Sequence, residues 1–172
     1  PKKIAVYVHW PFCKSKCPYC DFNSHVRDTV SHDDWSAAYV KELDSYSEIL
    51  RGREVTSIFF GGGTPSLAEP QTFAAIIEKL GQLAELNEPE ITIEANPTSV
   101  EAQKFKQFRQ AGINRVSLGI QSLNPDDLKF LVREHSAEEA KNAIEIARSN
   151  FERYSFDLIY ALPQQSMSRW EK

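Results

Sequence analysis

Three thiols stand within eight residues of one another, as Cys13, Cys17 and Cys20, and the chain has no other cysteine. The spacing, three residues and then two, places all three sulfurs on one short loop. Clustered thiols in a reducing compartment serve as metal ligands or redox groups more readily than as structural disulfides. An odd number also cannot close into pairs. Two metal readings fit. Structural zinc takes four ligands, and His9 or His25 would supply the fourth. A four-iron cluster ordinarily takes four thiolates. Three would leave one iron with an open position for a bound molecule, as a catalytic zinc keeps one. A second unusual stretch is Gly61-Gly-Gly-Thr64, directly after an apolar run. Glycine lets backbone approach a ligand closely and allows positive φ, but a plain tight turn uses the same residues.

Loops of this kind need rigid elements to hold them. Runs rich in β-branched and aromatic residues predict strands over Ile4–His9, Ser57–Phe60, Ile91–Ala95, Val116–Gly119 and Ser155–Tyr160. Helical spacing lies between them. Ser31 caps a long segment whose Trp35, Ala38, Tyr39, Leu43, Tyr46, Ile49 and Leu50 suit a buried stripe. Phe73, Ile76, Ile77 and Leu80 mark a second helix. Thr98 with Glu101 makes a capping box for a third, which carries Phe105 and Phe108 and stops at Gly112. Asn124-Pro125 opens a fourth. Ser136 with Glu139 caps another, with Ala140, Ala143, Ile144 and Ala147 inward. Strand and helix alternate throughout, which implies a parallel sheet with crossover helices. Five strands suggest an incomplete (β/α)6-type partial barrel.

In parallel α/β folds the functional site lies at the carboxyl ends of the strands. Each unusual cluster falls there: His9–Cys20, Gly61–Thr64, Glu94–Pro97, Gly119–Ser122, and Asp157 with Tyr160–Pro163. All five should therefore share one rim. No repeat, linker or low-complexity segment divides the 172 residues, so a single domain spanning 1–172 is expected. The start without Met, and a last segment that reads as the opening of a helix capped by Ser166 or Ser168, suggest the N-terminal part of a longer protein. The rest of the barrel and a C-terminal domain would then be missing.

Composition excludes several classes. Hydrophobic residues make up 41% and charged residues 26%, as in ordinary globular proteins. The net charge of −4 does not suit a general nucleic-acid binder. No apolar run approaches the ~18 residues of a membrane span, so membrane association would come only through a partner. No signal-peptide hydrophobic region follows the start, and cytoplasmic residence is the expectation.

The motif Cys13-Lys-Ser-Lys-Cys17-Pro-Tyr-Cys20 resembles that of the radical S-adenosylmethionine (SAM) superfamily. The wider strings narrow the resemblance: Tyr7-Val-His-Trp-Pro-Phe-Cys13, Phe60-Gly-Gly-Gly-Thr-Pro65, Ile93-Glu-Ala-Asn-Pro97, Asn114–Ser122 and Asp157–Gln164. Together they resemble the oxygen-independent coproporphyrinogen dehydrogenase family, and within it the HemW heme-chaperone branch. Dehydrogenases of that family carry a further cysteine two residues after the third, where this chain has Phe22. The resemblance therefore leans to the heme carriers.

What the resemblance implies is a [4Fe-4S] cluster on Cys13, Cys17 and Cys20, with SAM chelating its open iron. Gly62, Gly63 and Thr64 would cradle the methionine end. Arg133 and Glu94 suit its carboxylate and ammonium by charge, although a rim salt bridge would use the same types. Gln121 and Asp157 suit ribose hydroxyls. Tyr7 would lie near the methionine group, and Tyr19 and Ile159 near adenine; packing against the barrel wall is the bland alternative for these three. In the full-length protein the implied partners are heme, apo-heme proteins as acceptors and an electron donor for the cluster. Porphyrinogen oxidation stands beside the chaperone reading, and whether the protein is an enzyme is open at this point. Among the histidines, His9 is the best placed, near the cluster. His32 reads as a solvated neighbour of a helix cap. His25 and His135 read as surface or hydrogen-bonded groups. Trp35, Phe105 and Phe108 read as core.

Overall fold

The structure is a computed structural model and describes residues 1–171; Lys172, within the expected last helix, lies outside the described residues. The elements run β1 (Lys2–Trp10), β2 (Phe12–Cys13), β3 (His25–Val26), α1 (His32–Ser45), α2 (Ser47–Leu50), β4 (Arg53–Gly62), a 3-10 turn (Pro65–Leu67), α3 (Pro70–Leu83), β5 (Glu90–Ala95), α4 (Ser99–Ala102), α5 (Phe105–Gln110), β6 (Arg115–Gln121), α6 (Pro125–Phe130), α7 (Ala137–Asn150), β7 (Arg153–Leu158) and α8 (Met167–Trp170). Five strands form one parallel sheet in the order β1-β4-β5-β6-β7. Their order in the sheet follows the chain without reversal. That is the winding of a barrel rather than of a doubly wound sheet, and here the sheet is not closed.

The two faces of the sheet differ, as the alternation of side chains requires. Val55, Ile58, Phe60, Ile91, Ile93, Val116, Leu118 and Ile120 are buried in the core. Phe73 of α3 meets Phe60 edge-on at 4.7 Å and Phe108 of α5 at 5.7 Å. Burying each such ring contributes roughly 2–3 kcal/mol, so these aromatics fasten the helix layer. Residues of the opposite register, Ser117, Gly119 and Gln121 on β6 and Asp157 on β7, line a cavity at the carboxyl rim.

The caps follow the sequence closely. Ser31 accepts from Asp34 N–H at α1, Asn124 caps α6, and Ser136 with Glu139 forms the full capping box of α7. Gly112 follows α5 with φ 102°, the left-handed conformation that a helix C-terminus favours in glycine. Four expectations are corrected. The first helix is interrupted at Tyr46, and Ala38, Tyr46 and Ile49 are exposed. The inward stripe is therefore Trp35, Tyr39 and Leu43, partly buried against the core and continued by the buried Leu50. The segment after Thr98 is two short helices rather than one; Thr98 Oγ1 accepts from Glu101 N–H at 3.4 Å, while the Glu101 carboxylate turns inward to Ser66 and Asn96. Strand β7 stops at Leu158, where Ile159 N–H donates to Gln121 O at 2.9 Å and the chain turns away with Ala161 at φ 60°. Finally, His32 stands at the start of α1 but is only partly solvated: its ring stacks on Trp10 at 5.7 Å, and its Nδ1 is buried without a hydrogen-bond partner among the described residues.

Candidate functional site

A cavity of about 530 Å³ opens at the carboxyl ends of the strands. The three cysteines, Tyr19, Gly63, Thr64, Glu94, Gln121, Arg133 and Asp157 line it. Tyr7, Gly62 and Ile159 do not. Tyr7 stacks on Phe59 at 6.1 Å, with its hydroxyl 3.4 Å from His9 Nδ1. Gly62 lies beneath the lining, and Ile159 acts through its backbone on β6. Tyr160 points outward to Trp170, so of the last cluster only Asp157 reaches the cavity.

The glycine loop is built by close backbone approach. Gly63 N–H donates to Trp10 O at 2.6 Å, and Thr64 N–H to Phe12 O at 2.8 Å. A Cβ on Gly63 would stand 2.6 Å from Phe12 O, and one on Gly62, at φ 114°, would stand 2.8 Å from Trp10 O. This is more than a tight turn: the glycines let the segment that carries the first thiol lie directly on β4. It also consumes N–H groups, since Gly62 N–H hydrogen-bonds the Glu94 carboxylate. Gly62, Gly63 and Thr64 therefore have their N–H groups already engaged.

Arg133 supplies side-chain donors. It follows Val132, whose backbone is left-handed at φ 53°. One guanidinium nitrogen, Nη1, donates to Cys17 Sγ and to Tyr19 OH, each at 3.3 Å. The other, Nη2, donates to Asn96 Oδ1 at 2.6 Å and Gly119 O at 2.8 Å. Its Nε is buried and has no partner among the described residues. Beside it, Glu134 accepts from Ser15 Oγ at 3.0 Å and Lys14 Nζ at 3.2 Å. Arg133 thus grips the second spacer of the thiol motif and Glu134 the first. The hydrogen bond from Ser15, with that from Lys14, holds the Glu134 carboxyl below its usual range. His135 Nε2–H donates to Ile120 O at 3.0 Å and pins this connector to β6.

Burial raises the Glu94 carboxyl above the ordinary carboxylate range, opposed by the Gly62 hydrogen bond and reinforced by neighbouring Asp157. A cationic group beside Glu94 would relieve it. Burial pushes the Tyr19 phenol up to about 12, against the pull of Arg133.

The thiols are unpaired. Among the described residues no three His, Cys, Asp or Glu side chains converge on one ion. Thr64 Oγ1 donates to Cys13 Sγ at 3.5 Å and Arg133 Nη1 to Cys17 Sγ at 3.3 Å, so two of the three sulfurs face donors from across the cavity. Reading the sequence alone missed Glu134 and misassigned Glu101. The only signal for Glu134 was its place beside Arg133.

Comparison with known proteins bears on this site. The profile of the radical SAM superfamily matches residues 7–172. The chain is 42% identical over 172 residues to the mitochondrial radical S-adenosyl methionine domain-containing protein 1 of Danio rerio, covering 99% of this chain and 39% of the relative. It is 41% identical over 167 residues to the heme chaperone HemW of Escherichia coli, covering 95% and 44%. Among solved structures, the coproporphyrinogen III oxidase HemN of Escherichia coli, a radical SAM enzyme, superposes with TM-score 0.86 at 29% identity, over 99% of this chain and 40% of that one. The chain thus spans about two fifths of the length of these relatives.

Proposed function

This chain belongs to the radical SAM superfamily, and from that premise we propose that its carboxyl rim binds a [4Fe-4S] cluster and SAM within a heme chaperone. The observation that carries the SAM reading is Arg133: it holds Cys17 and Tyr19 on one side, and its buried Nε–H lacks an acceptor among the described residues. An anionic ligand beside the thiols is what would satisfy that group. Cys13, Cys17 and Cys20 would hold the cluster, which when bound supplies the open iron and the electron for sulfonium cleavage. Arg133 would take the SAM carboxylate, and Glu94, with Asp157 close by, the ammonium. Gln121 and Asp157 would meet ribose hydroxyls, and Tyr19 the adenine. Tyr7, exposed and within electrostatic reach of Glu94, would lie near the methionine group, while Gly62 and Ile159 would act through their backbone hydrogen bonds. The remaining barrel and the C-terminal domain would follow β7 in the full-length protein.

The heme reading rests on similarity to HemW across nearly the whole chain and on Phe22, which stands where the dehydrogenases have a further cysteine. The partners would be heme, apo-heme proteins and an electron donor. No helix among the described residues is long and apolar enough to cross a membrane, and we take the cytoplasm as the compartment. The test is heme binding by the full-length protein and heme transfer to an apo-cytochrome; no binding would sink the reading. A second reading, oxidative decarboxylation of coproporphyrinogen III, is favoured by the close superposition on HemN. Anaerobic formation of protoporphyrinogen by the full-length protein would replace the chaperone reading with that one.

A further inference from the structure

Glu101 sits on α4, is 6% exposed, and faces no cation among the described residues. A carboxylate in such a place needs several donors. It has four: Ser66 Oγ, the Asn96 backbone N–H at 2.9 Å, Asn96 Nδ2 at 3.4 Å and Thr98 Oγ1 at 3.4 Å. Ser66 belongs to the turn after the glycine loop, and Asn96 to the loop after β5. Asn96 reaches the other way as well, since its Oδ1 accepts from Arg133 Nη2 at 2.6 Å. Its two neighbours make opposite demands, because a carboxylate requires the amide NH2 and a guanidinium requires the amide oxygen. Only one orientation of the Asn96 amide meets both. A neutral side chain at 101 would leave that orientation to Arg133 alone and loosen the amide's hold on Glu101's side.

We propose that Glu101 is a positioning residue. By fixing the Asn96 amide it sets the Arg133 guanidinium for the carboxylate of the ligand, and by holding Ser66 it ties the glycine loop to the same support. This rests on the SAM reading given above. Glu101 does not itself touch the ligand. It acts through one relay, Glu101 to Asn96 to Arg133, and Arg133 in turn holds the thiol loop.

The test uses full-length protein reconstituted anaerobically with iron and sulfide, with SAM binding measured by equilibrium dialysis and iron and sulfide counted per chain. E101Q is expected to keep the wild-type iron content and bind SAM roughly tenfold more weakly, the loss of one charge-assisted hydrogen bond. The double variant E101Q/N96D moves the carboxylate to position 96, where it still accepts from Arg133 whichever way it turns, while the amide introduced at position 101 donates to its other oxygen. Affinity should return to within about threefold of wild type. N96D alone sets two carboxylates together and should weaken binding. An E101Q that binds SAM as wild type does would overturn the inference, as would a loss that the double variant fails to restore. If E101Q fails to fold, a folded and binding double variant supports the relay. Two unfolded variants would mark Glu101 as a folding residue and overturn it. Wild-type protein that carries the cluster and binds no SAM would instead overturn the reading beneath.

Discussion

The two loops that wall the cavity are made in opposite ways. Residues 61–64 are almost wholly buried and are held by backbone hydrogen bonds to residues 10 and 12, at distances that admit no side chain. Residues 13–24 are mostly exposed, have little regular structure beyond the two-residue pairing of β2 with β3, and are held largely by side chains reaching over from Arg133 and Glu134. The first loop has a fixed shape before anything binds. The second can adjust to what its thiols ligate. A cavity with one rigid wall and one adjustable wall suits the cluster and small zwitterion proposed for it.

The comparison can be broken most directly at the rigid wall. G63A would drive a Cβ into Phe12 O, and with no flexible atom to yield, the chain should lose about 3 kcal/mol, read as a lower urea midpoint. An unchanged midpoint would mean the wall is soft. A smaller effect of opposite sign is expected after β7, where the left-handed turn is made without glycine, at Ala161 with φ 60°. A161G should raise stability by about 1 kcal/mol.

The connector that clamps the thiol loop gives a pH-dependent test. His135 is buried and its pKa is lowered, by burial first and the Arg133 guanidinium second. The folded chain therefore binds fewer protons than the unfolded one. The stability attached to this group is full above the unfolded value of ~6.5 and is lost as pH falls through the lowered folded value. H135Q, which keeps a donor for Ile120 O, should flatten that acid arm of the urea midpoint. The smallest effect on stability belongs to the adjustable wall. C17S in cluster-free protein should change stability by less than about 0.5 kcal/mol, while iron uptake on reconstitution falls sharply. A large loss of stability would show that the thiol loop carries fold as well as chemistry.

Much of this was legible in the chain itself. Alternating runs give strands because β-branched side chains suit a pleated surface, and Ser31, Asn124 and Ser136 announce helix starts because their oxygens satisfy N–H groups that lack partners. Phe73, Phe105 and Phe108 were readable as core. The thiol spacing and the glycine run were readable as a site because their residue types have few other uses. Less legible were Ala38, Tyr46 and Ile49, whose exposure depends on how far the helix layer wraps the sheet. Glu101 was the instructive miss: the pair Thr98 and Glu101 fits a capping box by spacing, yet the carboxylate found stronger donors in Ser66 and Asn96, which only the folded chain brings near.

Sequence by itself determined the thiols, the glycines, the parallel order and the rim on which all of them had to meet, since periodicity and residue chemistry are local properties. Tertiary structure alone decided that Arg133 and Glu134, more than a hundred residues away along the chain, would clamp the two spacers of the thiol motif. It also decided that a buried carboxylate, with no cation beside it among the described residues, would orient the amide that holds Arg133. Hydrogen bonds between distant segments depend on register, crossover and burial together, and no spacing along the chain encodes them.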